Sequence, residues 1–255
     1  MFSILILRVT SFPSSITGSK EQAIFTTSGQ FTVPPGVNKV HVLAVGGGAG
    51  GGSGNAGGGG SGYVSASSVP VNVGEVITVT VGRGGTGSTF KINMDAQDAE
   101  PGERSSFGSL VVADGGHIMN GRTGGDGGSG GGAAGVQSKS GDGGTGGKDG
   151  ATGANGDAKG GKGQGDYSSL FSGFKLATFT AGSGGKGGDK CGGGGGGGVL
   201  MNGHGPAAIG LDKCAFGGKG FGASGAGAFD DIEKGTSPST YYNEGGSGAD
   251  GLVYV

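Results

Sequence analysis

The chain has 255 residues, 72 of them glycine, about four times the usual frequency of roughly 7%. Net charge is −2, only 32% of residues are hydrophobic and tryptophan is absent, so the basic surface of a nucleic-acid binder is missing. Charge repulsion this weak does not hold a chain expanded, and the apolar residues gather in short runs between glycine tracts, which points to an ordered chain.

The opening MFSILILRVTSF is apolar but too short to span a membrane, and it lacks the basic start and small-residue cleavage site of a signal peptide. Residues 1–23 are therefore read as a first strand or a docking segment that packs on a partner, with no membrane insertion. AIFTTSGQFTVPPG alternates in part and stops at Pro34-Pro35-Gly36. In NKVHVLAVGGG the period of two puts Val40, Val42 and Ala44 on one face and His41, Leu43 and Val45 on the other. Two further β-rich runs meet near Val73-Gly74-Glu75; in the second, Ile77, Val79 and Val81 share a face and Val76, Thr78 and Thr80 take the opposite one. SSFGSLVVADGG supplies another strand and GLVYV closes the chain. Strands are thus expected mainly within 24–45, 63–82, 105–113 and 251–255, in a single domain spanning 24–255 that holds almost no α-helix, because glycine makes helices costly.

Glycine tracts occupy mainly 46–62, 121–165 and 182–227. Flexible linkers have no reason to keep a period, yet GDGGTGGKDGATGANGDA places glycine at 141, 144, 147, 150, 153 and 156. Three residues per turn is the repeat of a polyproline-II-type helix, in which a glycine row lets a neighbouring backbone come close enough to hydrogen-bond. Collagen pre-sets that backbone with proline, but none occurs between Pro101 and Pro206. The spacing therefore predicts a hydrogen-bonded bundle of polyglycine-II helices inserted between the strands.

GQFTVPPGVNKVHVLAVGGGAGGGSG, VNVGEVITVTVGRGG and the closing GGSGADGLVYV resemble the strand-flanking motifs of glycine-rich domains in bacteriophage tail proteins. Two architectures are similar in plan. The short tail-fibre adhesins of T-even-like phages layer polyglycine-II helices beneath receptor-reading loops, and the glycine-rich domain of the anaplastic lymphoma kinase receptor sets such helices beside a β-sandwich. The resemblance implies an all-β fold: an antiparallel sandwich of jelly-roll or TNF-like type carrying the inserted bundle.

Function is then expected where the glycine rhythm breaks: residues 88–106, 166–180, 199–216 and 228–246. These stretches hold Phe171, Phe174, Tyr241 and Tyr242, which with Asp230 and Asp231 are the candidate receptor-binding residues. For the phenylalanines, a small core capping the bundle ends is the favoured reading. The tyrosines stand evenly between capping and recognition, and the two aspartates also suit a solvated loop or a calcium contact. Cys191 and Cys214 are the candidate disulfide; a bridge would close a loop of about twenty residues and contribute up to ~3 kcal/mol. The one histidine between them, His204, does not complete a zinc site. No HExxH or P-loop occurs.

The chain is accordingly expected to be a non-enzymatic virion protein without cofactor, a tail-fibre or tail-tip adhesin acting extracellularly. Its expected partners are a host-surface receptor, protein or glycan, and other virion tail proteins, with homo-oligomers allowed and nucleic acid not expected. The alternative is a structural subunit of a fibre, collar or surface filament; ice binding by flat polyglycine-II faces, similar to the snow-flea antifreeze proteins, is a third reading.

Overall fold

A computed structural model describes residues 22–52, 57–91, 98–120, 123–131, 171, 178–185, 193–208, 216–226 and 242–255. All regular structure there is β, and its twelve strands pair antiparallel throughout. They are β1 (Ile24–Phe25), β2 (Gly29–Thr32), β3 (Lys39–Val45), β4 (Val64–Pro70), β5 (Val76–Thr80), β6 (Thr89–Lys91), β7 (Ser105–Phe107), β8 (Val111–Ala113), β9 (Phe179–Ala181), β10 (Val199–Met201), β11 (Tyr242–Glu244) and β12 (Leu252–Tyr254). One four-stranded sheet runs β1-β12-β3-β4 and a second β2-β5-β7-β8, while β9 pairs β10 and β6 pairs β11.

The alternation in β3 decides how these sheets are used. Val40, Val42 and Ala44 join Val33, Val69, Ile77, Val79, Phe107, Val111, Ala113 and Val253 in one buried cluster, to which both four-stranded sheets contribute. On the opposite face of the first sheet, Leu43 and Val45 pack with Leu252, Tyr254, Phe171, Phe179 and Val199. The β9–β10 pair therefore covers that face, and β3 is buried on both sides from Val42 to Val45. In the second sheet β5 is half-buried: Ile77 and Val79 face the shared core, while Val76, Thr78 and Thr80 are exposed.

Beyond β3 the chain enters Gly46–Gly52 and leaves sheet geometry, but not hydrogen bonding. The N–H groups of Gly46, Ala49 and Gly52 donate to the carbonyls of Tyr63, Gly60 and Gly57, an antiparallel neighbour. Those of Gly47 and Gly50 donate to Glu103 and Glu100, and those of Gly48 and Gly51 to Ala249 and Gly246. Each third residue thus addresses the same neighbour, and one segment is bonded to three others. The returning segment repeats the pattern: Gly59 and Gly62 donate to Gly225 and Gly222, Gly60 and Tyr63 to His117 and Asp114, and Ser61 to Ser129. Close approach requires glycine: a Cβ placed on Gly46, Gly47 or Gly48 would run into the backbone carbonyls of Asp114, Arg83 and Ala223. Where a side chain does enter the lattice it is small, an alanine as at 49 and 223 or a serine used for bonding. Ser61, Ser129 and Ser224 are fully buried; the Ser129 N–H donates to Ser61 Oγ at 2.7 Å, and the Ser129 hydroxyl donates to Gly197 O at 2.7 Å.

The expected periodic stretch from Gly141 to Gly156 lies outside the described residues, so the three-residue period is seen in the first tract rather than there.

Candidate functional site

The lattice places polar side chains at its margin. Because Gly60 and Tyr63 donate to His117 and Asp114, these two segments run antiparallel in fixed register. Tyr63 and His117 then meet ring edge to ring face, with centroids 5.9 Å apart and planes at 63°. Burial raises the Tyr63 phenol above its ordinary value, and the nearby carboxylates of Asp126 and Asp114 raise it further, since both disfavour phenolate. Arg104 Nε donates to Asp114 Oδ1 at 2.8 Å, with both side chains largely exposed. A surface pair of this kind contributes only ~0–1 kcal/mol to stability.

Arg104, Asp114 and His117 stand around a shallow open depression of about 540 Å3, completed by Pro101, Gly102, Gly115 and Gly116. Two hydrogen bonds hold its glycine floor, Gly102 N–H to Gly116 O at 3.0 Å and Gly116 N–H to Gly47 O at 2.9 Å. The site presents one guanidinium, one carboxylate and one imidazole over rigid backbone. Among the described residues no group of three His, Cys, Asp or Glu side chains is arranged to hold a metal ion.

A family model described as the glycine-rich domain matches residues 26–255, nearly the whole chain. The chain belongs to that family. No curated protein matches it.

Within this glycine-rich domain the candidate residues separate. Phe171 is buried and packs against Phe179 and Tyr254, with ring centroids 5.4 and 5.1 Å away, so it takes the core position rather than a receptor-facing one. Tyr242 starts β11, its backbone paired with Lys91. Phe174, Tyr241, Asp230, Asp231, Cys191 and Cys214 lie outside the described residues. Sequence reasoning did not single out Tyr63, Arg104, Asp114 or His117 as a group. Tyr63, Asp114 and His117 adjoin glycines, in SGYV and ADGGHIM, while Arg104 follows Gly102 by two residues in GERSS; the register between 60–63 and 114–117 brings Tyr63 to His117, and the β7–β8 pairing of Ser105 with Ala113 brings Arg104 to Asp114.

Proposed function

We propose that this glycine-rich domain is a non-enzymatic bacteriophage virion protein, a tail-fibre or tail-tip adhesin that binds a host-surface receptor through loops on a rigid scaffold. The carrying observation is the bonding of Gly46–Gly52 to three neighbours in rotation. A polyglycine-II helix, with its three residues per turn, accounts for that rotation. In this reading the helices form a bundle beside an antiparallel sandwich of the two four-stranded sheets. Such a lattice tolerates little motion, and loops fixed to it lose less entropy on binding. The breaks at 166–180 and 228–246, with Phe174, Tyr241, Tyr242, Asp230 and Asp231, are the segments proposed to read the receptor. Exchanging 228–241, which leaves β11 and the Gly246 acceptor in place, for an unrelated loop in a phage that carries this protein should abolish or redirect adsorption; unchanged adsorption after exchange of 228–241 and of 172–177, between the core residues Phe171 and Phe179, refutes the reading.

A structural subunit is favoured by a different observation. The outer face of the second sheet exposes Val76 and Val112 together with Thr78 and Thr80, and Val73 and Leu110 in the adjoining turns are exposed as well. An uncharged face of this kind suits contact between virion proteins or between copies of the chain. Light scattering and electron microscopy of the purified protein separate the two: a filament with the 166–180 and 228–246 segments buried between copies supports the subunit, a discrete particle the adhesin.

A further inference from the structure

We propose that the depression flanked by Arg104, Asp114 and His117 binds the ring of a neutral pyranose sugar. The proposal goes beyond host attachment, since a structural subunit can carry the same site. The depression is open and shallow, which suits one face of a single unit of a surface glycan rather than an enclosed metabolite.

The chemistry selects the ligand class. Arg104 and Asp114 cancel in charge, so neither a phosphate nor an ammonium group gains net attraction; an anion would face the Asp114 carboxylate and a cation the Arg104 guanidinium. Only Nε and Oδ1 are used in their mutual bond, which leaves the terminal N–H groups of the guanidinium and the second carboxylate oxygen for a ligand. Vicinal hydroxyls match that pair, because one can accept from the guanidinium while its neighbour donates to the carboxylate. The pyranose C–H face then lies against the exposed imidazole of His117, whose ring is steadied by its contact with Tyr63.

The floor is preorganised for this. Side chains added at Gly102, Gly115 or Gly116 would be driven into the carbonyls of Gly47, Gly102 and Gly60, so the lattice itself keeps the floor bare and fixed.

The test uses the purified full chain and saturation-transfer NMR with galactose, glucose, mannose and N-acetylglucosamine, each at millimolar concentration. At least one should receive saturation from the wild type. Arg104→Ala, Asp114→Ala and His117→Ala should each weaken its binding about tenfold, the loss expected for one charge-assisted or stacking contact. Lys39→Ala, exposed on β3, should leave binding unchanged, and circular dichroism should show every variant folded. Absence of transfer to all four sugars, equal binding by all variants, or displacement of the sugar by inorganic sulfate would each overturn the proposal. Sugar binding in a protein whose loop exchange leaves adsorption intact would keep this site and remove the attachment reading. Loop-dependent adsorption without sugar binding would do the reverse.

Discussion

Replacing Gly50 by alanine tests whether the glycine lattice is packed backbone to backbone. The added Cβ would lie 1.9 Å from Thr86 O, and about 1.1 Å of movement is needed to reach 3.0 Å, below which real Cβ atoms essentially never sit. No flexible side chain can yield there, because the obstacle is a carbonyl whose oxygen accepts from the Glu100 N–H at 2.9 Å. Moving the strands apart also stretches the bond from Gly50 N–H to Glu100 O and the bond from Ser88 N–H to Gly51 O, each 3.0 Å. Overpacking costs ~1–3 kcal/mol and each displaced hydrogen bond about 1 kcal/mol, so the expected loss is about 3–5 kcal/mol. That is a large share of the ~5–15 kcal/mol that holds a typical domain together. Gly29→Ala is the control: the nearest atoms to its Cβ are in the Phe25 ring at 3.6 Å, so stability should stay within ~1 kcal/mol of wild type. Urea unfolding followed by far-UV circular dichroism and tyrosine emission reads both variants, since there is no tryptophan. A Gly50→Ala midpoint equal to that of Gly29→Ala would refute close backbone packing.

The buried serines offer a second test. Ser61→Ala leaves the Ser129 N–H, in a fully buried residue, without its Ser61 Oγ acceptor and should cost about 1–3 kcal/mol; an unchanged unfolding midpoint would argue against the bond. Phe179→Ala empties the cluster beneath β3 and should cost ~3–5 kcal/mol in the same unfolding experiment, whereas Phe216→Ala, half exposed, should cost little. Tyr63 controls an alkaline limb. Its folded pKa is raised above 10.0, so its contribution to stability is complete below the unfolded value and is lost as pH rises through the folded one. Stability of Tyr63→Phe measured from pH 9 upward should therefore fall less steeply than that of the wild type; parallel curves would remove Tyr63 as a source of the limb.

Long strands with one or two buried faces were readable from residue order. In β3 and β5 the period of two sorts side chains between the two clusters, or between core and solvent, as the sequence predicts. Three-residue strands offer no such period. β9 and β10 fall in stretches that read as interruptions of the glycine rhythm, and what makes them strands is the cover they give to Leu43, Val45 and Leu252. The glycine tracts announced close packing but not their partners, because a glycine row carries no side chain to mark which neighbour it meets. That loss of information also hid the contact between Tyr63 and His117. Tyr63 and Asp114 are 51 positions apart, and nothing in SGYV or ADGGHIM specifies that one backbone donates to the other. For Phe171 the composition allowed core or recognition, and contact with Phe179 and Tyr254 puts it in the core.

The rotation of partners along Gly46–Gly52 also constrains how such a chain can change in length. Deleting one residue from this run would shift every following N–H by one place in the rotation of partners, so groups aimed at Glu100, Gly246 and Gly60 would all be offered to the wrong neighbour. Deleting three would shorten the rod and return each group to its own side. Viable insertions and deletions in these tracts should therefore come in threes, that is, in multiples of nine nucleotides. A reading frame that survives any in-frame triplet at the genetic level is here subject to a second, coarser frame imposed by the backbone.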